Sequence, residues 1–129
     1  MEIAMTTIPS PATFPIRVLF CIGITQTFFD LPTAGQAEVF AGFAAAFGDL
    51  EGRFGLKLLG TLDDDRIQVG QSVGHPFTSY ILAEVPDLET IVKVCDQLRQ
   101  TPVGDYRLWR YARIETRIGR PAFTESPHG

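Results

Sequence analysis

A nine-residue run, Arg17 to Thr25 (RVLFCIGIT), constrains this chain more than any other feature. Val18, Phe20, Ile22 and Ile24 fall on one alternating face, and Leu19 and Cys21 on the other. A strand that is apolar on both sides has to be covered on both sides, which predicts a central strand in a layered domain. The chain has 129 residues, room for one such domain. Its 45% hydrophobic and 20% charged residues are the proportions of a globular protein, not of a disordered one.

The segments around that strand fall into a simple order. Residues 1–15 hold Pro9, Pro11 and Pro15 among threonines and serine and predict a flexible arm. Pro32 and Thr33 open a helix, with Thr33 and Gln36 spaced as a capping box. Phe40, Phe43, Phe47 and Leu50 follow as its apolar stripe, and Gly52 is its expected stop. Leu56 to Leu62 returns as a strand. Asp63, Asp64 and Asp65 make a turn, and Arg66 to Val69 is expected as the returning arm of a hairpin. Thr78 to Val85 is the third main strand, with Tyr80, Leu82 and Glu84 on one face and Ser79, Ile81, Ala83 and Val85 on the other. Asp87 caps a second helix whose buried stripe is Leu88, Ile91, Val92, Cys95 and Leu98, ended by Thr101-Pro102.

The last segment, residues 107–120, is readable two ways. Its five arginines recur at helical steps, but its aromatic and β-branched content favours a strand. A strand there completes β-α-β-β-α-β, a ferredoxin-like α+β fold with an extra hairpin after its second strand. The folded domain is then 16–120, with 121–129 as a tail. In this reading Leu108, Ala112, Ile114 and Ile118 share one face of the strand, and Trp109, Tyr111, Arg113, Glu115 and Arg117 the other. The sheet face away from the helices would carry Tyr80, Leu82, Trp109 and Tyr111. Two such faces packed together predict a homodimer enclosing a cavity.

The segments QTFFDL (26–31), LGTLDDDRIQVGQS (59–72), GHPFTSYILAEVPDLETI (74–91) and VGDYRLWRYARIETRIGRP (103–121) add a resemblance. The chain resembles the dimeric α+β barrel superfamily and, more narrowly, the IacB-type small proteins encoded with bacterial indole-3-acetate catabolism enzymes. The likeness covers residues 18–121. It implies a dimeric barrel and an indole-3-acetate-derived intermediate as ligand. The superfamily spans several unrelated chemistries, so the fold does not choose one.

Candidate site residues come from the side chains themselves. His75 lies in a Gly-His-Pro loop, and an imidazole titrates near neutral pH, which makes His75 the leading acid/base candidate with Tyr80 beside it on the next strand. The competing reading is a loop histidine bonded to a nearby carbonyl. Trp109, Tyr111, Arg113 and Glu84 are the expected ligand contacts: an aromatic wall, and a guanidinium able to grip a carboxylate. Alternatively, Arg113 pairs with Glu84 or Glu115 across the sheet.

Several classes are excluded or disfavoured. The net charge of −4 argues against a general nucleic-acid binder, although the arginine-rich last segment keeps that class in view. No apolar run approaches a membrane span, and no Lys or Arg precedes Arg17 as a secretory leader would require, so a cytoplasmic location is expected. Consecutive aspartates at a turn cannot converge on one metal ion, Cys21 and Cys95 read as core residues, and there is no phosphate-binding glycine motif. The expectation is therefore a small cofactor-independent enzyme acting on an aromatic acid by proton transfer: isomerisation, ring opening or cofactor-free oxygenation. The alternative is a non-catalytic carrier for such an acid.

Overall fold

The computed structural model describes residues 16–71 and 73–124; the N-terminal arm and the last part of the tail lie outside them. The two-faced apolar run forms β1 (Ile16–Ile24), and it is indeed central. The short α1 (Gln26–Phe29), the long α2 (Thr33–Phe47) and α3 (Leu50–Phe54) lead to β2 (Lys57–Asp63). Then come β3 (Ser79–Val85), α4 (Leu88–Cys95) and α5 (Gln97–Gln100). A small hairpin of β4 (Pro102–Val103) and β5 (Tyr106–Arg107) precedes a 3-10 turn at Leu108–Arg110, and β6 (Ala112–Gly119) closes the chain.

The main sheet has the order β2-β3-β1-β6, every neighbour antiparallel. That is the ferredoxin-like α+β arrangement. Each strand sends alternate residues to a helix-covered face and to an open face. Val18, Phe20, Ile22, Ile81, Ala83 and Val85 form the core under the helices with Leu50, Leu56, Ile91 and Val94. A second cluster, Phe28, Val39, Ala46, Leu98, Val103, Leu108, Tyr111 and Ala112, fills the end of the sheet near α1. Phe43, Phe47 and Ile114 touch both clusters and join them.

Several local expectations need correcting. The hairpin arm at Arg66–Val69 does not form: residues 64–78 contain no strand among those described, and Ile67 and Val69 are exposed with no layer to pack on. Pro32, not Thr33, is the N-cap of α2, and Gln36 Nε2 reaches the Leu31 carbonyl instead of closing a capping box. The helix stops at Gly48, and Gly52 sits inside α3, where its N–H is accepted by Asp49. The buried stripe of α2 is Val39, Gly42 and Ala46, and Phe40 is exposed. In α4, Thr90, Ile91 and Val94 are inside while Leu88 and Val92 are 58% and 60% exposed. Asp87 does cap that helix, accepting from both Thr90 N–H and Thr90 Oγ1–H at 2.8 Å. Those hydrogen bonds hold its carboxyl below the ordinary value.

The most consequential correction concerns the last strand. It begins at Ala112, so Leu108, Trp109 and Tyr111 belong to the turn that precedes it. Leu108 is fully buried, Tyr111 is 4% exposed in the second cluster, and Trp109 is 56% exposed with Arg99 over its ring. A strand assignment would give Leu108 and Trp109 comparable roles on opposite faces, whereas the turn buries one and leaves the other out. Leu108→Ala should therefore cost about 2–5 kcal/mol. Trp109→Ala should cost about 1 kcal/mol or less, the worth of an exposed cation–π contact. Urea unfolding of the two variants measures both.

Candidate functional site

The open face of the sheet carries the residues with chemistry. Register places Arg17 opposite Glu84, Leu19 opposite Leu82, and Cys21 opposite Tyr80. On the far side of β3, Gly60 faces Leu82 and Leu62 faces Tyr80; on the far side of β1, Arg113 faces Gly23, Glu115 faces Cys21 and Arg117 faces Leu19. Leu19, Gly60, Thr61, Leu62, Tyr80 and Leu82 line a shallow apolar depression of about 470 Å³. Gly60 leaves room there, since a Cβ on it would meet nothing.

His75 and Tyr80 come together. His75 Nε2 lies 2.6 Å from Tyr80 Oη, and the two rings are near parallel with centroids 6.1 Å apart. Tyr80 Oη also donates to the Phe77 carbonyl at 3.2 Å, and the His75 ring sits edge-on to the buried Phe77. The phenol has one proton, and Phe77 O, His75 Nε2 and the Asp64 carboxylate compete for it. When it goes to Phe77 O, His75 Nε2 carries hydrogen and donates to Oη, leaving Nδ1 as the basic nitrogen. When it goes to Nε2, the imidazole is the acceptor. Burial, with help from the Asp64 carboxylate and Cys21, pushes the Tyr80 phenol above its ordinary 10.0. Tyr80 is accordingly a neutral proton donor at physiological pH.

Gly23 makes this loop geometry possible. A side chain there would strike the Pro76 carbonyl oxygen and come within 3.2 Å of Arg113 Cγ. The missing Cβ lets the His75-Pro76 segment lie against the end of β1, where Thr78 N–H donates to Ile22 O at 3.0 Å. Arg113 shares that gap with Pro76, which brings its guanidinium stem next to the histidine loop.

The fixed charges sort themselves. Glu84 is paired with Arg17 at 2.9 Å, and Glu115 with Arg117 at 3.4 Å. Arg113 has no ion-pair or hydrogen-bond partner among the described residues. Both cross-sheet pairings open to Arg113 in sequence terms are thus taken by other arginines. Glu84 is at the opposite end of the face from His75, held by Arg17. Trp109 and Tyr111 are not on this face at all, for the reason given above. Sequence reasoning missed Gly23 and Asp64. An isolated glycine inside an apolar strand is a usable sign of close backbone approach, and it stands in Cys21-Ile22-Gly23-Ile24.

A second cavity, about 610 Å³, lies on the other side of the sheet between α2 and the β2–β3 edge, walled by Phe40, Phe43 and Phe47 with Asp63 and Ser79 at its polar side. No cluster of His, Cys, Asp and Glu suited to a metal ion occurs among the described residues. No helix among them is long and apolar enough to cross a membrane. Cys21 is buried and Cys95 half-buried, and burial raises both thiols above their ordinary value, which suits packing more than nucleophilic attack.

No family model matches this chain, and no curated protein matches it. A solved crystal structure provisionally described as a chlorite dismutase superposes with a TM-score of 0.46 at 17% identity, over 81% of this chain and 43% of that one. The chain spans less than half the length of that protein, and a likeness at this level says nothing about activity.

Two measurements test the site geometry. The folded Tyr80 phenol is raised, so its contribution to stability is intact below the unfolded tyrosine value near 10.0 and is lost as pH rises through the higher folded value. Tyr80→Phe should flatten that alkaline loss in a series of thermal midpoints. Gly23→Ala should displace the Pro76 backbone and separate His75 from Tyr80. The His75 ring resonances in an NMR spectrum should then move while the dispersed core signals stay in place.

Proposed function

We propose that this chain holds a small aromatic carboxylate against the open face of its sheet and moves a proton through His75 and Tyr80, without a resident cofactor. The observation that carries the reading is the 2.6 Å His75–Tyr80 contact on the same face as the unpaired Arg113. Arg113 supplies a bidentate grip on a carboxylate, and the depression at Leu19, Leu62 and Leu82 receives an apolar ring. Tyr80, neutral and hydrogen-bonded, donates toward charge developing on the ligand, while the imidazole accepts a proton from a carbon or a water. Isomerisation, ring opening and cofactor-free oxygenation of an aromatic acid can all start from that abstraction. The resemblance to IacB-type proteins suggests an indole-3-acetate-derived acid as the ligand class. Association of two open faces into a homodimer would exclude water from the depression and complete the enclosure.

The runner-up is a carrier that binds the same acid without converting it. Its supporting observation is the Phe77 carbonyl, which anchors the Tyr80 hydroxyl as a fixed binding contact.

Two variants separate these readings. Arg113→Leu should weaken binding of indole-3-acetate by about tenfold or more, the worth of a charge-assisted pair, and leave binding of uncharged indole unchanged. His75→Gln should lower turnover of the acid by ~10²-fold while its binding is kept. Calorimetry for binding and product analysis for turnover read the two effects. Equal affinity of the wild-type chain for the acid and for indole would refute the carboxylate grip. Tight binding with no conversion by the wild-type chain would establish the carrier. Trp109 lies off the site, so its fluorescence should not report ligand.

A further inference from the structure

The two edges of the sheet differ in a way that the ligand site does not use. At one edge, β2 starts at Lys57 and is broken by a register shift between Leu58 and Gly60. A bulge and a lysine are devices that keep an edge from pairing. At the other edge, β6 runs eight residues, Ala112–Gly119, with no proline and a continuous register against β1. Among the described residues it has neither a bulge nor a proline, and its charges, Arg113, Glu115 and Arg117, alternate in sign.

The ladder fixes which backbone groups that edge offers. Thr25 N–H donates to Tyr111 O at 2.9 Å, one step beyond the Ile24–Ala112 pair. In an antiparallel ladder, opposed residues alternate between bonded and non-bonded pairs, so the odd-numbered residues of β6 bond to β1. Ala112, Ile114, Thr116 and Ile118 therefore point their N–H and C=O groups outward, and among the described residues no strand receives them. A second antiparallel strand has to set these even-numbered residues opposite one another.

We propose that β6 pairs with the β6 of a second copy, antiparallel about a twofold axis at Thr116, joining two four-stranded sheets edge to edge. The charges select this register. A twofold at Glu115 would use the same length of strand but place Glu115 opposite itself and Arg113 opposite Arg117. A twofold at Ile114 would run the pairing into the Leu108–Arg110 turn and leave Ile118 and Gly119 without a strand opposite. The twofold at Thr116 uses Arg113 through Gly119 and puts Glu115 opposite the second copy's Arg117, twice over. It also puts Ile114 opposite Ile118 on the helix side. Such pairs are the unit of sheet stabilisation. Arg113 falls opposite Gly119, so its guanidinium stays available to a ligand.

The surface beside the edge fits the same partner. A groove of about 490 Å³ runs between α4 and β6, lined in part by Leu88, Val92, Thr116 and Ile118. Leu88, Val92 and Ile118 are 58%, 60% and 53% exposed. Around a twofold at Thr116 this apolar groove faces its own symmetry copy, so α4 and its mate close over the seam. This contact is independent of any open-face association, and the two are distinguishable.

Light scattering and sedimentation of the full chain test it. The wild type should run as an assembly with at least twice the 14.2 kDa chain mass. Thr116→Pro removes an outward N–H without touching the β1 ladder or the open face, and should dissolve the edge contact while the thermal midpoint shows a folded domain. Arg117→Glu should weaken self-association by roughly tenfold, since like charges then oppose each other at two places. The double variant Glu115→Arg/Arg117→Glu should restore it. Leu82→Glu, on the open face, should leave the edge contact intact. A wild-type assembly of four chains that each of Thr116→Pro and Leu82→Glu halves would mean that both contacts form. A monomeric wild type overturns the proposal. So does a dimer that Thr116→Pro leaves whole and Leu82→Glu dissolves.

Discussion

Everything in this fold hangs on β1 being paired along both edges with one face sealed under the helices. Its helix-side residues Val18, Phe20 and Ile22 are the centre of the core, and its other side meets Tyr80, Leu82 and Glu84 across one seam and Arg113, Glu115 and Arg117 across the other. A strand in that position cannot slip by one residue without exchanging its entire core row for Leu19 and Cys21. The register is therefore fixed, and with it the placement of every group on the open face. The one position where β1 has no side chain, Gly23, is where the histidine loop is admitted.

The charged residues of the open face show how pairing leaves one cation over. Two acidic groups and three arginines line it, and geometry assigns Arg17 to Glu84 and Arg117 to Glu115. Exposed pairs such as the second contribute little stability, about 0–1 kcal/mol, but they occupy acceptors. The arginine left over, Arg113, is the one whose stem shares the Gly23 gap with Pro76. A cation with no partner among the described residues adds no ion pair to the stability of the fold.

The exposed apolar residues follow from the same economy of layers. The helices cover one face of the sheet but do not reach its β6 edge, so Leu88, Val92 and Ile118 are left along a groove. The open face is left with Leu19, Leu62 and Leu82. A small domain has too little polar surface to hide both, and self-association is the usual way such surface is withdrawn from water.

By itself the sequence determined the order of the four main strands and two main helices, the two-faced nature of β1 and the alternation of β3, because such periodicity is local and each of these runs is long enough to show it. It also carried the Asp87 cap, the placing of His75 and Tyr80 at one end of the sheet, and the face on which Arg113 lies. It did not determine where β6 begins. Leu108 and Tyr111 alternate with polar residues as a strand would, but a buried leucine and a buried tyrosine inside the α2–α5 cluster outweigh ladder hydrogen bonds there, and the chain turns instead. Tertiary structure also decided which phenylalanines of α2 are inside, since the close approach of Val103 at Gly42 and the burial of Ala46 set the contact line, not the spacing of the aromatics. That Arg113 is left without a partner among the described residues was likewise beyond the sequence. Arg17 meets Glu84 only through the β1–β3 register, a long-range property that no local pattern encodes, whereas Arg117 and Glu115 stand two residues apart on one strand.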